Sequence, residues 1–90
     1  MRGGGGDEPV LDLHGVRVAD AIRRTTVFVV AEQQRGTAVV RIITGHGTGA
    51  VKHAVRELLT SHPAVAYLRP SLSSDAAMLV VLKPPSAQRS

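Results

Sequence analysis

The sequence predicts an α/β two-layer sandwich, and three observations carry that prediction. Short apolar strand-like runs alternate with two helical stretches in the order β-α-β-α-β-β. Ninety residues provide one domain, and 43 % hydrophobic against 20 % charged residues is a globular composition. A single helical crossover between the first two strands makes them parallel neighbours, so the four strands form a mixed sheet with both helices on one face.

The chain divides into three parts. Residues 1–9 read as a flexible Gly-rich leader around Gly3 to Gly6, because four glycines in a row lose much backbone entropy on ordering. Residues 10–83 are the working domain. Residues 84–90, opening on Pro84 and Pro85, read as a flexible tail.

Val10 to His14 alternates, with Leu11 and Leu13 on one side and Asp12 and His14 on the other. It reads as a strand, stopped by Gly15. Arg17 to Arg35 is too long for a strand despite its β-branched Thr25–Val30 segment. Val18, Ile22, Thr25 and Val29 recur at helical spacing, Asp20 stands four before Arg24, and Gly36 suits a C-terminal cap. Val39 to Thr44 is nearly all apolar and reads as a central strand covered on both sides.

Ala50 to His62 is the clearest helix. Val51, Ala54, Val55, Leu58 and Leu59 form its apolar stripe, Lys52, His53, Arg56 and Glu57 its outer face, and Pro63 forbids continuation. Val65–Arg69 and Ala76–Leu82 are the last strands, joined by turn residues over Pro70–Asp75.

Composition also excludes. With no cysteine there are no disulfides, thiolate metal sites or cysteine nucleophiles. Four histidines and few carboxylates show no metal-ligand spacing. The longest apolar run cannot span a bilayer, and the N-terminus has no signal-peptide core. The chain reads as intracellular, with cytoplasm and mitochondrion left open. Phe28 and Tyr67 are the only aromatics, too few for a stacking platform. The net charge is +4, and nine of the eleven cations are arginine. Forked, permanently charged donors favour phosphate-bearing partners.

Two motifs carry chemistry. Thr44-Gly45-His46-Gly47-Thr48-Gly49 joins a buried strand to an amphipathic helix. Its glycines expose consecutive N–H groups, and the helix adds its positive end, which together suit an anion. Lys52 and Arg56 extend the field. No Lys-Ser/Thr pair follows a glycine, so this is not a Walker A loop. Gly45, Gly47 and Ala50 fit a loose dinucleotide pattern, with Arg69 placed for a 2′-phosphate, but no second half follows to hold the other nucleotide.

The other motif is Leu11-Asp12-Leu13-His14-Gly15. A carboxylate two residues from an imidazole on a strand can orient it, bind a cation or take a proton. Both lie at the carboxyl end of a strand parallel to the one feeding the glycine loop, where ligands of such sheets bind. His46 can reach the same crevice, whereas His53 and His62 read as surface residues.

Together these motifs resemble the small MutS-related (Smr) domain. Leu11 to Gly15 resembles its LDLHG signature and Thr44 to Gly47 its TGxG motif. The stretch Ile42–Leu68, with Ala54-Val55-Arg56 and Ser61-His62-Pro63-Ala64-Val65, resembles the Smr domain at the C-terminus of bacterial MutS paralogues. Two departures stand out. Ser71–Asp75 occupies the place of a Gly-Gly-x-Gly, and Thr44 occupies the histidine position of the HGxG variant.

The resemblance implies nucleic-acid binding and, in many members, endonuclease action on RNA or DNA, some on mRNA or ribosomes. It implies Asp12 and His14 as catalytic residues, with Mg or Mn dependence varying among members. Thr44, Gly45, Gly47, Thr48, Gly49, Lys52, Arg56 and Arg17 are then expected to hold phosphate, and His46 to act as catalytic partner or substrate contact. A non-catalytic module docking on RNA or a ribonucleoprotein is the alternative.

Overall fold

The computed structural model describes residues 8–47, 49–71 and 76–85. The elements are β1 (Val10–Asp12), α1 (Val18–Gln34), β2 (Val39–Ile43), α2 (Ala50–Thr60), β3 (Val65–Pro70) and β4 (Ala77–Leu82). They form one four-stranded sheet in the order β1-β2-β4-β3, with β1 and β2 parallel and the other pairs antiparallel. Both helices lie on one face, as the periodicities predict. Leu13, Val29, Val40, Ile42, Val55, Leu59 and Val80 are fully buried between the layers.

β1 is shorter than its apolar alternation suggests. Leu13 still donates its N–H to the Ile43 carbonyl at 2.7 Å. The next N–H, that of His14, is taken by the Asp12 side chain at 3.0 Å. An Asp that bonds the backbone two residues on bends the chain out of the ladder, and Gly15 at φ +75° completes the bend.

α1 is buried along a stripe rotated from the expected one. Ala21, Thr25, Val29 and Glu32 face inward, while Val18 and Ile22 stand at the exposed margin. Ala21 brings α1 close to its neighbours because it has so little side chain. Glu32 lies inward because its oxygen accepts the Thr37 hydroxyl at 2.8 Å. Asp20 pairs with Arg23 at 2.8 Å rather than with Arg24; both spacings share the same helix face. Gly36, at φ +84°, ends the helix as expected. Its N–H bonds Gln33 and the N–H of Thr37 bonds Glu32, which is the Schellman arrangement.

β2 is central in the sheet but covered on one face only. Val40 and Ile42 are buried, whereas Val39, Arg41 and Ile43 are half-buried on the face without helices. Over that face Arg41 is ion-paired to Glu8 at 2.7 Å and donates to Ser71 at 3.2 Å. Pro9 accepts the Arg41 N–H, so the chain immediately before β1 is tied to β2. The remainder of the leader, residues 72–75 of the β3–β4 connection and the last five residues of the tail lie outside the described residues.

Candidate phosphate crevice

The carboxyl ends of β1 and β2 open onto one crevice of about 480 Å³. One wall is the turn after β1, with His14, Gly15 and Arg17; the other is the glycine turn after β2, with Gly45, His46 and Gly47. Thr44, Gly49 and Lys52 also line it. Thr48, also expected to hold phosphate, lies outside the described residues.

Asp12 and His14 form a tight exposed pair. His14 Nδ1 lies 2.7 Å from Asp12 Oδ1, the oxygen that also accepts the His14 backbone N–H. The His14 side chain bond, then this backbone bond, hold the Asp12 carboxyl below its ordinary value. An ionised carboxylate only accepts, so Nδ1 must carry the proton. Nε2 of the neutral ring is therefore the basic nitrogen. The side chains are 74 % and 50 % exposed, so the bond orients the ring and adds little stability.

The glycine turn is fixed by a distant carbonyl. Ala76, just before β4, accepts the N–H groups of Thr44 and Gly45 and the Thr44 hydroxyl at 3.1 Å. Thr44 is accordingly buried, and its side chain anchors the turn. The three glycines are not equivalent. Gly45 (φ +82°) and Gly49 (φ +90°) need the left-handed region, and Gly47 does not. A Cβ on Gly45 would stand 3.2 Å from the His14 Cβ, whereas one on Gly47 would meet open space. Gly45 therefore permits the close approach of the two motifs.

Both helices begin at this crevice. Gly49 is the N-cap of α2, and Arg17, the N-cap of α1, makes no side-chain cap. The N–H groups of Val18, Ala19 and Asp20 meet no acceptor among the described residues. The helix itself is legible in the sequence, but that its start faces the crevice leaves one signal, the basic Arg17 in place of a Ser, Thr, Asp or Asn cap.

The remaining site candidates divide. His46 is exposed in the turn and lines the crevice beside His14. Arg56 does not reach the crevice; it lines a neighbouring cleft, and Lys52 lies between the two. His53 is exposed on α2. His62 serves the turn after α2, its Nδ1 accepting the Ala64 N–H at 3.0 Å. Among the described residues no three His, Asp or Glu side chains gather as a metal site, and no helix is long and apolar enough to cross a membrane.

Known proteins share both sequence and fold. A region of "Endonuclease MutS2" from Anaeromyxobacter sp. is 39 % identical over 64 residues, covering 71 % of this chain and 8 % of that protein. "Ribosome rescue factor SmrB" of Haemophilus ducreyi is 30 % identical over 80 residues, covering 86 % of this chain and 45 % of that protein. The chain thus spans only a small part of the MutS2 relatives. The crystal structure of the Smr domain of Thermus thermophilus MutS2 superposes with a TM-score of 0.81 at 26 % identity, over 84 % of this chain and 99 % of that one. The Smr domain family model matches residues 11–83. From its first strand to its last, with both motifs in place, this chain belongs to the Smr domain family.

Proposed function

We propose that the crevice binds a nucleic-acid strand and that the domain cleaves it at a phosphodiester. The observation that carries this is His14, held by Asp12, lining one crevice with the glycine turn. The MutS2 relatives are named endonucleases and SmrB a ribosome rescue factor, which accords with RNA or DNA as partner and with a ribosome-associated substrate.

The geometry supports a division of labour among these residues. Backbone N–H groups at His46 and Gly47 of the glycine turn and at the start of α1 hold the scissile or the adjacent phosphate. Arg17 and Lys52 flank it with fixed charge. His14 Nε2 takes the proton of the attacking hydroxyl, from water or from a neighbouring ribose, as the new P–O bond forms. The old P–O bond breaks and its oxygen takes up a proton, which the imidazolium can return. Asp12 keeps the proton on Nδ1 and balances the imidazolium charge. His46 is the second group able to meet the phosphate or the leaving oxygen.

A divalent cation such as Mg or Mn would have to rest on Asp12 and on the phosphate, because no cluster of three ligands forms among the described residues. The test is cleavage of labelled RNA and DNA strands by the wild type and by His14→Ala, with Mg²⁺ or Mn²⁺ supplied. We expect cleavage that His14→Ala lowers by about 10²–10⁴ while binding is retained. Tight binding with no cutting of either polymer leaves a docking module and removes the enzyme.

A further inference from the structure

A second cleft adjoins the crevice. It opens between α2 and the ends of β3 and β4, and its volume is about 170 Å³. Leu68, Pro70 and Met78 supply an apolar wall, and Lys52 and Arg56 a cationic rim. Lys52 lines both cavities, so the two form one path along α2.

The spacing on that path is that of a polyanion. Lys52 and Arg56 are four residues apart on one helix face, about 6 Å along its axis. That is close to the step between neighbouring phosphates of an extended strand. No carboxylate pairs with Arg56 among the described residues. The cleft is smaller than the roughly 300–1,000 Å³ of ordinary small-molecule sites, which suits one ring system rather than a whole cofactor. An apolar wall beside a cation matches a base joined to its phosphate.

We infer that a strand held at the glycine turn continues across Lys52, sets its next phosphate on Arg56 and lays one unpaired base against Leu68, Pro70 and Met78. This rests on the crevice being a nucleic-acid site, and it adds the substrate class. A base inside a duplex is stacked and paired, and reaches a pocket only by giving up both interactions. The cleft therefore selects single strands or unpaired ends. It does so without an aromatic platform, since neither Phe28 nor Tyr67 lines it.

The experiment measures binding of fluorescein-labelled single strands and of the matching duplex by anisotropy, with an abasic residue walked along the single strand. Wild type should prefer the single strand by about fivefold, since a duplex that keeps its stack forfeits the burial of the base. One abasic position, beside the mapped cut, should weaken binding about fivefold, as expected for a small apolar surface. Leu68→Asn should remove that abasic penalty, since the two changes act on one base and its wall. Arg56→Gln should weaken every strand. Because the abasic series uses unaltered protein, it stands even where Leu68→Asn folds poorly. Equal affinity for duplex and single strand, or an abasic series flat at every position, overturns the cleft and leaves the crevice standing. No binding to any strand overturns both.

Discussion

The two ends of the sheet treat the helix termini that lie there differently. At the end where α1 and α2 finish, the chain satisfies itself. Gly36 and Thr37 close α1, Thr37 caps the Glu32 side chain, His62 accepts the Ala64 N–H, and Lys83 donates to Ala64. At the end where both helices start, N-caps without side-chain bonds stand beside cations and an exposed Asp–His pair. Local sequence could have capped those starts with Ser or Asp, as most helices do. The contrast separates a fold-making end from a ligand-facing end, and each end makes its own prediction.

The largest expected effects lie on opposite observables. His14→Ala, at an exposed position, should leave stability within about 0.5 kcal/mol while lowering the cleavage rate by about 10²–10⁴. Thr37→Val removes the donor to buried Glu32 and should lower unfolding free energy by about 1–3 kcal/mol, with strand affinity unchanged. Denaturant unfolding and anisotropy on both variants check the pair. A His14→Ala protein that unfolds as easily as Thr37→Val would erase the distinction between the ends.

Within the ligand-facing end, the glycines rank themselves. Gly45→Ala forces a side chain into the left-handed region and against His14, and should cost about 1–3 kcal/mol of stability. Gly47→Ala carries neither penalty, so any weakening of strand binding it causes reports approach of phosphate to the turn. Circular dichroism and titration of both variants separate the two. Equal stability deficits would mean that Gly47 is under the same backbone constraint as Gly45.

That ranking marks where sequence reading stops. The strands, α2 and the glycine turn are legible because each is written locally, in apolar alternation, in the 51-54-55-58-59 stripe and in turn residues. The spacing of Asp12 and His14 is legible too. The alternation overstates their strand, because a side chain that captures a backbone N–H competes with the ladder without changing the apolar pattern. Periodicity misplaces the α1 stripe because the expected and observed faces share Thr25 and Val29, and only packing chooses between Ile22 and Ala21. A buried glutamate contradicts composition and depends on Thr37. The anchor of Thr44 on Ala76 joins residues 32 apart, and no local periodicity carries that. Gly45 and Gly47 look alike in the chain and differ in φ and in their distance from His14.

Salt dependence tests whether the charge belongs to one end. Removing a cation that holds one phosphate should flatten the slope of log affinity against log salt by about 1. Lys52→Ala and Arg56→Ala should each do so across all sequences. Arg35→Ala, at the finish of α1, should leave the slope as it is. A slope moved by Arg35 and untouched by Lys52 would place the strand at the wrong end of the sheet.

The smallest effect concerns Asp12 and acid. Its folded carboxyl is lowered beneath the ordinary value of 3.8, chiefly by the His14 side chain and then by the His14 N–H. A depressed carboxylate stabilises the fold fully above its unfolded value, and that contribution is lost as pH falls through the lower folded value. Asp12 thus stays ionised through the neutral range and holds the His14 tautomer there, so no neutral-range inflection in cleavage belongs to it. Asp12→Asn can still accept both bonds but carries no charge. Its stability curve should run slightly below the wild type from neutral pH down to about pH 4, and the two should merge in stronger acid. Thermal unfolding of both proteins across that range reads the difference. Thr37→Val, by contrast, leaves Asp12 untouched, so its deficit should not close with the Asp12 transition. Curves for Asp12→Asn that stay equally separated below about pH 3 would show that the carboxylate's charge is not what positions the imidazole.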